Sequence, residues 1–349
     1  MASSRLVLIW RRGLRVLAVG YLVGLIAVIA AFRWGDGWWA TIAALYLPRL
    51  GFAIPLPLLT LGLMIDRAWR WLVTQVAALA LIVFPLMGLH LSFARAATPG
   101  ATTLRVLTFN VDSAKAGVDK ILAVVRAADP DLIVLQEVGN GDTDPWIAGL
   151  PGYHVDKFNQ FLLASRFPME ERSDLPLSHR GRSRPPRSER YRIATPAGSV
   201  FLYSVHPISP RESLDDLRGD GLRNEVVRGQ IPKDAKDEVE GAAALRRAQL
   251  EAVVADAARS PYPVIIAGDT NLPELSGTLA RVIRGYRDAF ADRGFGFGYT
   301  FPMRKGGPWM RIDRILAGAR VRVLECHVPK EWVSDHRPVV ATVEIVPST

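Results

Sequence analysis

Residues 1–95 carry so few charges that water cannot be the only solvent this chain meets. Val16–Phe32, Leu50–Ile65 and Trp71–Phe93 are uncharged runs of 17, 16 and 23 residues. A helix needs about 20 mostly apolar residues to cross a hydrocarbon core, so the pattern predicts three spans, over 14–32, 48–65 and 71–93. The second run is the least regular, because Pro48 and Arg49 interrupt the stretch from Trp38 to Ile65 and Pro55 and Pro57 follow. At about 1.5 Å per residue that stretch overshoots a core of roughly 30 Å. Trp38–Leu47 therefore reads as interfacial and Leu50–Ile65 as the span, with Arg49 snorkelling to the headgroup layer or meeting a lipid phosphate.

Charge in the loops sets the expected orientation. Arg5, Arg11, Arg12 and Arg15 precede the first span, and Arg67 and Arg70 follow the second. Lys and Arg favour the cytoplasmic side, so the N-terminus and the 66–70 turn are expected inside, and three spans put everything after residue 95 outside. A cleaved signal peptide over residues 1–32 competes, since Ala27–Ala31 is rich in small residues. The two further apolar runs weigh against it.

The formal charge of +9 suggests nucleic-acid binding until it is divided. Residues 1–95 hold nine Arg, no Lys and two Asp, so most of the excess belongs to membrane orientation and the remaining 254 residues carry only +2. Such a domain has no global field to draw in nucleic acid. The exception is Arg172–Arg192, with seven Arg against Asp174 and Glu189, which reads as a solvated loop or as a phosphate-facing rim. The single cysteine, Cys326, excludes an internal disulfide and a cysteine-based zinc site; in the alternating run Val321–Val328 it reads as packing.

After an Ala/Thr/Pro/Gly linker at 96–103 the pattern changes to that of a soluble α/β domain over 104–349. Strands are expected over Leu104–Val111, Leu132–Leu135, Phe161–Ala164, Tyr191–Thr195, Val200–His206, Val264–Ala267, Arg311–Leu316, Val321–Val328 and Val339–Val346. Helices are expected over Val118–Ala127, Ala242–Ala258 and Leu275–Ile283. Ser209–Gly241 is polar and weakly periodic, and reads as a long surface loop that could act as a lid.

Carboxylates, amides and imidazoles recur where these strands end. Asn110 and Asp112 close LRVLTFNVD, Glu137 closes DLIVLQE, His206 closes FLYSVH, Asp269 and Asn271 close VIIAGDTN, Asp313 stands in RID, and Asp335 and His336 stand in VSDH. Any one of these could be a cap or turn residue. Together they fit one chemistry, since polar groups at several strand ends can converge on one sheet edge. Asp112, Glu137 and Asp335 are hard oxygen ligands suited to Mg²⁺ or Mn²⁺. His336 held by Asp313 can stabilise or relay charge, Asp269 can orient or deprotonate water, and Asn110, Asn271 and His206 can donate to phosphoryl oxygens.

The ordered set FNVD, LQE, ASRFP, SVHP, GDTN, RIDRIL and SDHRPV resembles the endonuclease/exonuclease/phosphatase superfamily over roughly residues 104–346. The resemblance implies a four-layer αββα sandwich preceded by the all-α membrane segment, and a divalent-metal site. It implies Glu137 as the main metal-ligating residue, Asp335 as a carboxylate near the metal, His336 as the essential histidine oriented by Asp313, and Asp269 as the water-activating aspartate with Asn271 beside it. Asn110 matches the first-motif asparagine, His206 the histidine of phosphodiesterase members, and Asp112 the abasic-site-nuclease form of the first motif. A membrane-bound branch of the superfamily also resembles this chain, and there a polyprenyl-diphosphate substrate has been suggested. The expectation is a hydrolase tethered to the lipid bilayer and acting on a lipid-linked phosphate or pyrophosphate. A membrane-anchored nuclease and a non-catalytic scaffold or sensor are the alternatives.

Overall fold

The computed structural model describes residues 2–175, 187–211, 213–214, 233–303 and 306–346. Two compact units emerge, one of residues 1–89 with 275–277 and one of 90–274 with 278–349. In the first, α1 runs over Ala2–Trp34 and so begins well before the expected span. Two helical stretches, Val7–Trp34 and Trp69–Leu86, are long and apolar enough to cross a membrane.

Between them lie α2 (Trp39–Leu45), a 3₁₀ turn (Arg49–Ala53) and α3 (Pro55–Ile65), a pair bent by 91° that could make a third span or a re-entrant loop. Arg49 does not snorkel. It is buried, donates to the carbonyls of Leu86 and Leu45, and lies over the Phe32 ring. The bend frees backbone carbonyls that only a strong donor can satisfy away from water.

Asp66, just after α3, pairs with Arg11 at 2.6 Å and Arg15 at 3.5 Å near the start of α1, while Leu14 and Ala18 pack on Leu63. The chain has therefore returned to the level at which the uncharged run of α1 begins. The last apolar run, expected to reach residue 93, leaves its helical path earlier. α4 (Leu72–Leu81) passes into a π-helical turn at Ile82–Leu86, where Pro85 cannot supply an N–H to the regular ladder.

In the second unit the chain is tied down ahead of the sheets, at residues 90–95 and, within the expected linker, at Thr98. His90–Leu91 forms β1, paired with β11 (Phe295–Gly296), and the N–H groups of Arg95 and Thr98 donate to Leu324 O and Glu344 Oε2. Two six-stranded mixed sheets follow. One has the order β13-β14-β2-β3-β5-β4 and the other β10-β12-β9-β8-β7-β6. The first contains β2 (Thr103–Asn110), β3 (Leu132–Gln136), β4 (His154–Phe158), β5 (Phe161–Ser165), β13 (Val321–His327) and β14 (Val339–Ile345). The second contains β6 (Met169–Asp174), β7 (Ser188–Thr195), β8 (Gly198–Val205), β9 (Val264–Asp269), β10 (Arg287–Asp288) and β12 (Asp313–Ala317).

Leu104, Val106, Leu132 and Val134 face Tyr191, Leu202, Ile265 and Ile315 across the inter-sheet core, which also takes Cys326. The alternate residues Leu107, Phe109, Ile133 and Leu135 pack on α5 (Val118–Ala128) and α6 (Asp144–Gly149). On the far side Tyr203, Val205 and Ile266 meet α7 (Lys233–Ala257) and α8 (Gly277–Val282). Strands buried on both faces need apolar residues at successive positions, which is why they are legible as continuous runs. This is the expected four-layer sandwich.

Residues 233–241 belong to α7 instead of the expected loop. The rest of the proposed lid, and Arg180, Arg182 and Arg184 of the arginine-rich stretch, lie wholly or largely outside the described residues. Of the described arginines of that stretch, Arg172 pairs with Asp156, Arg190 with Asp256 and Arg192 with Glu170, whereas Arg187 lies near His206 at the strand end.

β2 runs parallel to β3 and β8 parallel to β9, so the C-terminal ends of each pair lie together. Gly268, opposite Val205 in β8, has φ of +149°, and a Cβ there would lie 2.0 Å from Val205 O. Gly268→Ala is expected to cost roughly 3 kcal/mol or more by forcing β8 and β9 apart. Thermal unfolding would check this, and an unchanged midpoint would show that the strands yield freely.

Candidate active site

Asn110, Glu137, His206 and Asp269 stand at the ends of the two parallel pairs, and Asp313 opens β12 directly opposite Asp269 in register. Asn110 Nδ2 donates to Glu137 Oε1 at 2.9 Å and to Asp269 Oδ2 at 3.3 Å, tying one sheet to the other. His206 Nε2 lies 3.3 Å from Glu137 Oε1 and 3.6 Å from Asp269 Oδ2, and its Nδ1 is bonded to Gln160 Oε1 at 2.6 Å. His336 Nδ1 is bonded to Asp313 Oδ2 at 2.8 Å, which leaves Nε2 3.8 Å from Asp269 Oδ2 and 3.9 Å from Asp335 Oδ1. Asn271 donates its N–H to Asp269 Oδ1 and its side-chain amide to Pro207 O.

Glu137 and Asn271 both adopt positive φ, +54° and +51°. Such conformations cost of order 1–3 kcal/mol each, and here they turn the side chains at the strand ends inward. Asp112 is the outlier of the expected set. Its carboxylate is taken by Lys115 at 2.6 Å, and its N–H donates to Asn110 Oδ1.

Burial alone would depress the His336 imidazolium, but the charges of Asp313, Asp269 and Asp335 outweigh it and push it up to about 10. Burial and the nearby Asp313 charge raise Asp269 to about 7. Burial, aided by Arg187 and His336, lowers His206 to about 3, which keeps it neutral. The site thus holds a cationic imidazole, a neutral imidazole and a carboxyl group poised near neutrality.

The sequence model of the endonuclease/exonuclease/phosphatase family matches residues 107–336, roughly two thirds of the chain. The chain belongs to this family. No curated protein matches the sequence. Among solved structures, the family protein from Bacteroides vulgatus is similar with a TM-score of 0.51 and 17% identity, over 70% of this chain and 99% of that one. Truncated Caenorhabditis elegans TDP2 matches at 0.50 and 22% over 69% and 98%. D. rerio TDP2 complexed with single-strand DNA product matches at 0.50 and 17% over 69% and 99%. At these identities the likeness shows the fold.

Members of the endonuclease/exonuclease/phosphatase family are metal-dependent hydrolases of phosphate esters, and this chain is one of them. Its carboxylates fit such a metal: Asp269 and Asp313 present oxygens within 4.8 Å of each other, Asp313 Oδ1 is buried with no hydrogen-bond partner among the described residues, and Glu137 and Asp335 are partly exposed at the same strand ends. Carboxylate oxygens suit a hard divalent ion.

Four contacts escape sequence reading. Gln160 sits in the turn joining β4 to β5, in a strand pair of which only β5 was legible. Ser334 Oγ donates to Asn110 O. Phe301 lies against His336 with ring centroids 4.5 Å apart, and Arg211 donates to Asp335 Oδ2 while lying over Phe301. Only Ser334 carried a signal, through its place beside Asp335 and His336.

Proposed function

We propose that this chain is a membrane-tethered, divalent-metal-dependent phosphoesterase whose substrate phosphate is borne by a lipid outside the cytoplasm. The observation that carries the reading is the join at residues 87–89: three residues separate the π-helical turn from β1, where the catalytic unit begins. Fully extended, they reach about 10 Å. A hydrolase on so short a lead meets substrates at the bilayer surface more readily than long polymers in solution. The return of Asp66 to Arg11 and Arg15 supports a full crossing by the bent pair, hence three spans and an outer catalytic unit.

Glu137 and Asp335, both partly exposed, are the proposed metal ligands, with Asp112 able to join them if Lys115 releases it. Bound there, a divalent ion would neutralise charge at the substrate phosphate, and Mg²⁺ or Mn²⁺ would suit these donors. Asp269 takes the proton of the attacking water as the phosphorus–oxygen bond to the leaving group breaks. His336, held by Asp313, donates from Nε2 to a phosphoryl oxygen. Asn110, Asn271 and neutral His206 complete the phosphate-facing set.

Purified full-length protein should release phosphate from a polyprenyl diphosphate with Mg²⁺ and leave supercoiled plasmid intact; nicking without release would reassign the site to nucleic acid. Mn²⁺ binding followed by electron paramagnetic resonance tests the ligands. Glu137→Ala is expected to weaken binding at least 10-fold, whereas a loss confined to Asp313→Ala would move the ion to the Asp269, Asp313 and His336 group. A reporter fused after residue 346 should read as extracytoplasmic, and a cytoplasmic reading would mean that the bent pair does not cross.

A further inference from the structure

Large apolar side chains are seldom exposed in the described part of the catalytic unit, yet three of them are neighbours. Leu91 is the register partner of Phe295, and the Phe93 ring lies 5.7 Å from that of Phe295; the three are 51%, 65% and 69% exposed. Phe93 and Phe295 open onto a cavity of about 600 Å³ that continues past Phe297, whose ring stacks on Tyr299 at 5.3 Å. The charged side chains of that cavity are Arg293, Lys330 and Arg337 against one carboxylate, Glu325. The Nε atoms of Arg293 and Arg337 are buried without a hydrogen-bond partner among the described residues. Arg293 is otherwise held by its neighbour Asp292.

This combination is costly in water and suited to a bilayer surface. Aromatic rings settle at the headgroup level, and Lys and Arg beside them attract anionic lipid. The chain position agrees, since Leu91 and Phe93 follow the π-helical turn at Ile82–Leu86 by only a few residues. We propose that the cavity is a docking site for an anionic phospholipid, taking acyl or glycerol carbons against Phe93, Phe295 and Phe297 and the phosphate at Lys330, Arg293 and Arg337. The site is separate from the catalytic carboxylates and touches them through the chain: Arg337 follows His336, and its N–H donates to Thr300 O beside Phe301. A nucleic-acid strand could also use rings and cations, but Leu91 offers it nothing to stack on, and the lead from the apolar helices favours lipid.

The inference rests on the membrane reading of the N-terminal helices and not on the choice of substrate. Full-length protein reconstituted in vesicles with a photoactivatable phosphatidylglycerol should be labelled in α1 and, separately, at residues 91–95 and 293–299. Two exposed positions test the site without touching the core. Lys330→Gln should lower cavity labelling about fivefold, the usual contribution of one cation near an anionic surface, and Phe295→Ser should lower it further. Both should leave α1 labelling and hydrolysis of a soluble phosphodiester unchanged. Label in α1 but none in the cavity would overturn the docking site and spare the membrane reading, and no label in either would overturn both. Equal cavity labelling in phosphatidylcholine vesicles would overturn the anionic preference, and displacement by a single-stranded oligonucleotide would reassign the surface to nucleic acid.

Discussion

Replacing His336 by alanine is expected to lower kcat/KM for any phosphoester this enzyme cleaves by on the order of 10²- to 10³-fold. The imidazolium is a buried positive charge held by Asp313 and close to Asp269, and its Nε2 is the donor left over once Nδ1 is bonded to Asp313. Asp313→Asn should give a smaller loss, because an amide can still hold the ring while the charge that raises the imidazolium is gone. The pH profile separates these roles. With Asp269 raised to about 7, activity should climb as pH rises through neutrality and Asp269 ionises; with His336 raised to about 10, it should persist until that imidazolium deprotonates.

Stability follows His336 in the same sense. A histidine whose folded pKa lies above its unfolded value near 6.5 stabilises fully below that value, and the contribution fades as pH rises towards 10. If His336→Ala kept more than a tenth of wild-type kcat/KM, or left the alkaline limb in place, the charge role assigned to His336 would be wrong.

Asp288→Ala is expected to destabilise the catalytic unit by about 3–5 kcal/mol, the usual result of stranding buried charge. Asp288 accepts from Arg311 Nη1 at 2.6 and 2.7 Å and from Arg314 Nε at 3.1 Å, and both guanidinium groups are almost fully buried. It also caps α9 (Ala289–Arg293) by accepting from the N–H groups of Phe290 and Ala291. Glu274 shares both arginines and cannot compensate alone. The loss should lower the melting temperature by about 10 °C. Asp288→Asn, which keeps the cap but not the charge, should fall between. Arg314 also donates to Thr270 Oγ1 and Leu272 O on either side of Asn271, so activity should fall before the unit melts. A midpoint shift within a degree would show that water or a neighbouring acid replaces Asp288 at no cost.

Much of this molecule is legible in one dimension because its chemistry is carried by strand ends. β2, β3, β8, β9, β12 and β14 were all expected within one to three residues, since burial on both faces demands continuous apolar runs, and β13 was expected from its alternation; Asn110, Glu137, His206, Asp269, Asp313 and His336 follow or open the buried runs. Of the strands at sheet edges only β13 was expected; β1, β4, β6, β10 and β11 were missed. Their partly exposed sequences, such as His154–Phe158 and Met169–Asp174, lack the apolar signal, and cross-strand pairing alone makes them strands. Arg49 misled for a related reason: a lone arginine between apolar runs looks bound for the headgroups until the fold brings the Leu45 and Leu86 carbonyls within its reach.

The sequence by itself determined the apolar N-terminal segment, the sandwich and the residue types of the site, because hydropathy and strand-end chemistry are local properties. Tertiary structure decided that Gln160 and Arg211 join the site, and that Phe93 shares a cavity with Arg293, Phe295 and Lys330. Those are encounters between segments far apart in the chain, set by register and packing, and no local pattern records them.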